Sequence, residues 1–328
     1  VNKFNTKFFR MKFFLFFTTL LFGFNTYGQQ VYQTQKKPIE SRFQVAKRVI
    51  ENSFLNVPRD FTEMGKIVSN DWKKTATWAG SILGLVVVDK YTTGFLHDHI
   101  EPAIEDYRLP DISLNDNLPS WLKHEDAYIT YSLAGLYAGS LLFNKERGQI
   151  AAANGIKSLA YSYLISHIVF KALFARNRPH RNINDNLPFN KDYHTRNNWE
   201  FGQWHPIELD VQKPTGSKGT AFPSFHATAF FAVAKVMQME YDNYWIPYGV
   251  MSAVFLSNMK GHDHWVSDLV FGGLVGTVIG KAIVKNSRKQ RAKRENSVTK
   301  ASKKIKFEKK IFPTFSNNTA SLYLVATF

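Results

Sequence analysis

The sequence predicts an all-α protein, a helical bundle of about six core helices with a small C-terminal hairpin. Two observations carry this. First, six apolar segments of helical length follow Asp71, at about 74–88, 128–143, 151–176, 226–241, 245–258 and 264–284; runs of this length exceed what a strand takes. Second, the last stretch, 311–328, alternates loosely and contains Leu322-Tyr323-Leu324-Val325, the pattern of a short hairpin. Its final Phe328 is like the terminus of an outer-membrane barrel, but one hairpin cannot close a barrel. No internal repeat is visible.

Taken in order, the chain divides into four expected regions. Residues 1–28 read as a signal peptide, with Met11 as the expected true start: Met11-Lys12 precedes an apolar run from Phe13 to Phe24, and Thr26 and Gly28 supply small residues for cleavage. The other reading is an uncleaved anchor, for which the run is short against the roughly 20 residues of a span. Residues 29–71 form a polar and mixed N-terminal extension, 72–286 the helical domain, and 287–328 a basic tail with the hairpin. Most apolar runs in the domain fall short of a span, and Lys157, His167, Lys235 and Lys281 interrupt them. Ionisable groups are costly in lipid and acceptable on the polar face of a globular helix. The expected location is therefore the periplasm, as a soluble or inner-membrane-associated protein, with an integral bundle as the alternative. Mean hydropathy, −0.26, is low for a chain made mainly of spans.

Composition removes whole classes of chemistry. None of the 328 residues is cysteine, which excludes disulfides, thiolate metal sites and cysteine nucleophiles. The formal charge is +16, and 281–310 alone holds thirteen Lys/Arg against Glu295 and Glu308. Such a stretch is either a solvated tail or one drawn to an anionic membrane surface. Nucleic acid is not an expected partner, because the remainder carries no recognition motif.

Three clusters in the second half can carry chemistry. Lys171 and Arg178 lie seven apart before Pro179, two turns on one helix face. They suit a phosphate, although basic residues also collect at helix C-termini for the macrodipole. Pro223-Ser224-Phe225-His226 stands at a helix start, where unpaired N–H groups attract anions. There Ser224 can donate to a phosphate or simply cap the helix, and His226 can protonate a departing oxygen or lie on the surface. Ser257-Asn258 precedes His264-Trp265-Val266-Ser267-Asp268, whose four-residue gap sets Asp268 beneath the His264 imidazole. A carboxylate there would hold one ring nitrogen and leave the other free to attack. The loop 179–223 joins the first two clusters and is long enough to shape a binding site.

Together, Lys171-x6-Arg178-Pro179, Pro223-Ser224-Phe225-His226 and Ser257-Asn258-x5-His264-x3-Asp268 closely resemble the three-part signature of the type 2 phosphatidic acid phosphatase (PAP2) and haloperoxidase superfamily, over about 151–285. The resemblance implies a bundle of the PAP2/acid phosphatase type. It implies that Lys171, Arg178, Ser224, the amide near Phe225 and the residue at Asn258 bind phosphate. It further implies that His264 attacks phosphorus, Asp268 orients it and His226 protonates the leaving alcohol, with no metal and no cofactor. The expected substrate is a phosphorylated lipid or a small phosphate ester. Two residues depart from the pattern. Phe225 stands where the family usually has Gly, and Asn258 where it usually has Arg, exchanging two charged hydrogen bonds for one neutral one; Lys260 lies two residues on. These departures leave a degenerate, non-catalytic binding protein as the alternative. A vanadium haloperoxidase shares the site. A metal-dependent phosphohydrolase is suggested by His97-Asp98-His99 with Glu101 and by His262-Asp263-His264, though neither set keeps one helical spacing.

Overall fold

Helix starts first where the sequence looks least regular. In a computed structural model, described at residues 40–113, 117, 122–179, 199, 201, 220–259, 264–303, 308–316 and 319–327, the mixed segment before Asp71 forms α1 (Arg42–Leu55) and α2 (Val57–Ser69). The signal-peptide region, Lys260, His262, Asp263 and most of the loop 179–223 lie outside the described residues. Val45 and Val49, one turn apart on α1, are buried against Ile150. In α2, Pro58 occupies the first turn, where its missing N–H is no loss.

The expected helices follow, several of them longer than their apolar runs. Asp71 caps α3 (Trp72–Phe95) by accepting from the Lys74 N–H at 3.1 Å. A π-helical stretch, Leu96–Ile100, and one α-turn, Glu101–Ile104, continue it. Next come α4 (His124–Leu142) and α5 (Glu146–Ser162). The latter runs on through a π-helical stretch, Tyr163–Phe170, into the turn Lys171–Phe174. Then come α6 (Phe225–Tyr241), α7 (Trp245–Asn258) and α8 (Val266–Lys303). The chain divides into two compact units between Asn286 and Ser287, with α8 running from the first into the second. In the second unit, β1 (Glu308–Ser316) pairs antiparallel with β2 (Thr319–Thr327), Phe312 opposite Tyr323. This is the all-α bundle with a terminal hairpin that the sequence predicts.

The main core lies between α4, α5, α6 and α7, where Tyr128, Leu133, Ala151, Phe230, Val233 and Val254 are buried together. A second cluster, Met64, Tyr161, Ala232, Ile279 and Ile283, joins α2, α5, α6 and α8. Fully burying a large apolar side chain contributes roughly 1.5–3 kcal/mol, so these clusters hold the bundle.

One contact fixes the site. In α8, Gly272, Gly276 and Gly280 recur every four residues and so form one stripe. A Cβ at Gly276 would lie 2.1 Å from the Thr228 carbonyl oxygen, and one at Gly280 2.5 Å from that of Ala232. The backbones of α6 and α8 therefore touch, which no larger residue permits. Their N-termini meet as a result, and the Ser224 N–H donates to the Asp268 carbonyl at 3.1 Å.

Among the described residues one helical segment, Val266–Ser297, is long and apolar enough to cross a membrane, and half of its apolar window is buried within the protein.

Candidate active site

The two helix starts bring the second and third clusters face to face. His264 stands just ahead of α8, its side chain 16% exposed. Its Nδ1 lies 2.9 Å from the Ala221 carbonyl and 3.7 Å from Asp268 Oδ2. A carbonyl only accepts, so Nδ1 carries the proton and Nε2 keeps a lone pair. The nearest partner of His264 is thus a backbone oxygen, with the Asp268 carboxylate beside it. Asp268 is fully buried. Its Oδ2 accepts from the Trp265 N–H at 2.8 Å, which also caps α8.

His264 has its pKa lowered from the ordinary histidine value. Burial is the main cause; Asp268 opposes it, and Arg178 and Lys171 reinforce it. A lowered value keeps the ring neutral, as a nitrogen nucleophile requires.

At the start of α6, Ser224 is buried and accepts from the Ala227 N–H at 3.4 Å, which makes it the helix cap. His226 occupies the first turn, one-third exposed, with Nε2 3.5 Å from Asp126 Oδ2 on α4. Phe225 packs its ring edge-on against Tyr163 and His167.

The first cluster closes the other side. Lys171 is buried, and its ammonium donates to His167 Nδ1 at 3.2 Å. An ammonium cannot accept, so His167 is neutral. Its pKa is pushed down to about 4 by burial, then by Lys171, His226 and Arg178. Arg178 Nε donates to Thr220 Oγ1 at 3.0 Å. The positive field of Lys171 and Arg178 therefore reaches both His167 and His264. Asn258 is the last residue of α7, and its side chain lies outside the described residues. Its neighbour Ser257 accepts from the Leu109 N–H at 3.1 Å and donates to Glu125 Oε1 at 3.2 Å.

Four further residues reach the site that motif reading does not mark. His167 and Asp126 are two. Arg176 and Asp89 are the others, both buried and ion-paired to each other, with Arg176 also paired to Asp268. Arg176 turns inward because Ala175 adopts the left-handed conformation, φ 41° and ψ 49°, which ends the helix at Lys171–Phe174. A weak sequence signal existed: a second arginine two residues before Arg178. The cluster His97-Asp98-His99 with Glu101 does not assemble as a metal site, and His262 and Asp263 of the other set lie outside the described residues. His97 Nδ1 lies 3.6 Å from Glu101 Oε2, and among the described residues no three His, Asp or Glu converge as metal ligands.

The family model of the PAP2 superfamily matches residues 154–292. Over 74 residues the chain is 31% identical to a lipid A 1-phosphatase of Porphyromonas gingivalis. Those residues are 21% of this chain and 17% of that protein, so the match spans under a fifth of the relative's length. No solved structure matches the chain.

Proposed function

We propose that this chain is a metal-independent phosphatase that hydrolyses a phosphomonoester or diphosphate of a lipid through a phosphohistidine on His264. The observation that carries the reading is the tautomer of His264: Nδ1 is held by the Ala221 carbonyl, and Nε2 is left as a lone pair in the field of Lys171 and Arg178.

In this reading Lys171, Arg178 and the amides at the start of α6 hold the phosphoryl oxygens, with Ser224 and Asn258 beside them. His264 Nε2 attacks phosphorus, the P–O bond to the leaving group breaks, and His226 gives its proton to the departing oxygen. A water then gives a proton back to His226 and attacks the phosphohistidine, releasing inorganic phosphate and neutral His264. The Asp268 carboxylate, 3.7 Å from Nδ1, offsets the positive charge that the ring carries while phosphorylated. No step calls on a metal.

A lipid substrate is supported by the similarity to a lipid A 1-phosphatase and by the exposed apolar side chains of the helical stretch around Lys171, among them Leu164, Val169 and Leu173. An exported protein acting at the membrane surface, with the basic stretch after Asn286 drawn to anionic headgroups, fits the same reading.

The test is phosphate release from a panel of lipid phosphates and a chromogenic monoester, in EDTA, with wild type and His264→Ala in parallel. Release should survive EDTA and fall by about a thousandfold or more in the variant, with an acid-labile phosphoenzyme trapped only in wild type. Asn258, in place of the usual arginine, favours a second reading, a phosphate-binding protein without activity. Folded protein that releases nothing from any substrate would establish that reading, and Asn258→Arg is then the rescue to try.

A further inference from the structure

We propose that Asp89 and Arg176 are positioning residues for His264: they hold the Asp268 carboxylate in place and, by balancing the guanidinium from its far side, leave Asp268 negative towards the imidazole. The catalytic part of this inference rests on the phosphohistidine reading.

Arg176 lies at the centre of a closed network. Its Nη1 donates to Asp268 Oδ1 at 2.8 Å and to Ser267 Oγ at 2.7 Å, and its Nη2 donates to Asp89 Oδ2 at 2.8 Å. The guanidinium lies against the rings of Trp199 and Trp265, 4.6 and 4.7 Å from their centroids. Asp89, on α3, also accepts from the Ser267 N–H at 2.9 Å and from the Ser267 hydroxyl. Its pKa is raised, because burial outweighs the opposing pull of Arg176 and Ser267. Every one of these contacts is a donor aimed at Asp89, the surroundings of a carboxylate rather than of an acid.

The charge count gives the pair its function. Arg176 alone against Asp268 would make a neutral ion pair, and His264 would face little net field. With Asp89 on the opposite side, two carboxylates share one guanidinium, and one negative charge remains. It lies where the phosphorylated ring becomes positive, in a site dry enough for charge to act strongly. Facing His264 are Lys171 and Arg178, both positive, Asp268, negative, and the uncharged Ala221 carbonyl. Behind Asp268 stand Arg176 and Asp89. Asp89 lies outside the segment 154–292 that the superfamily model matches.

A purely structural tie and a charge-setting pair make different predictions. The experiment is a titration of the His264 ring by NMR of the full chain labelled in histidine, its signal assigned by its absence in His264→Gln, with the pH profile of kcat/KM alongside. Asp89→Asn makes the field more positive, so it should lower the His264 midpoint and move the acid limb to lower pH. Arg176→Gln should shift both upward, each by about half a unit or more, a threefold change in proton affinity. Arg176→Lys keeps the charge and should restore the wild-type midpoint. Ser267→Ala loosens the network without changing charge and should leave the midpoint in place. Shifts of the two charge variants in the same direction, or none in either, would overturn the proposal. So would a Ser267→Ala shift equal to that of Asp89→Asn. If Asp89→Asn does not fold, Arg176→Gln against Arg176→Lys decides, and equal midpoints in that pair reject the idea. The midpoints are read without substrate, so opposite shifts in a protein that hydrolyses nothing would remove the phosphatase reading alone. His264-dependent hydrolysis with unmoved midpoints would remove only this inference.

Discussion

α8 is tied to the N-terminal helices by buried carboxylates at two places, and the two differ in what they leave behind. Near its middle, Asn286 donates to Asp60 Oδ1 at 2.7 Å, while Lys157 and the Tyr161 hydroxyl meet Oδ2 at 2.7 and 2.9 Å. One acid faces one cation, and the cluster is neutral. At its start, two acids face Arg176, and the remaining negative charge lies beside a histidine. Both ties fasten α8 to α2 or α3, but only the second can act on a reaction. Buried ion pairs are weak evidence for stability in themselves; uncompensated charge placed next to a titratable ring is evidence of another kind.

Breaking the neutral tie should give the largest effect on stability. Lys157→Met leaves Asp60 as a buried carboxylate with two neutral donors, and losing one partner of such a pair costs about 3 kcal/mol. Thermal unfolding should show a lower Tm, while the titration midpoint of His264 in the folded protein stays at its wild-type value. A shifted midpoint would mean that the two ends of α8 are not independent.

The stretch between them offers a smaller test of the same independence. Gly276→Ala sets a methyl group 2.1 Å from the Thr228 carbonyl, so α6 and α8 must part. Overpacking of this kind costs about 1–3 kcal/mol. Parting the helices also stretches the bond from the Ser224 amide to the Asp268 carbonyl, 3.1 Å in the native contact. Activity should therefore fall more than in Lys157→Met at matched fraction folded, as measured by kcat after normalising to folded protein. Equal losses would show that the glycine stripe serves stability alone.

The sequence made the bundle legible because apolar runs at 128–143, 226–241 and 245–258 are long and nearly unbroken. The candidate phosphate-binding residues stand out in the sequence because their spacing is local to helix ends. α1 and α2 were not, since their buried positions, such as Val45 and Val49, are few and set among charges. The Asp89–Arg176 pair was hidden for a different reason. Its partners are 87 residues apart, and nothing local announces that Ala175 takes a left-handed turn to aim Arg176 inward. Gly272, Gly276 and Gly280 stand four apart in the sequence, but only the contact with α6 gives that spacing a meaning.

The positive half of the site provides the smallest of these effects and a sign that can be checked. His167 accepts from the Lys171 ammonium at 3.2 Å, and its pKa is lowered to about 4, against 6.5 for an ordinary histidine. A group that binds its proton more weakly in the folded state favours folding above the unfolded value and withdraws that support as pH falls through 6.5 towards 4. Wild type should therefore lose stability across that interval, and His167→Leu should lose less. At neutral pH the same variant removes the acceptor that aims Lys171, a hydrogen bond from a charged donor worth about 1.5 kcal/mol or more. If Lys171 binds the substrate phosphate, KM should rise about tenfold, with kcat changed less, and His167→Gln, which restores an acceptor, should recover most of the loss. An unchanged KM in His167→Leu would detach Lys171 from the substrate and leave the site with Arg178 as its main cation.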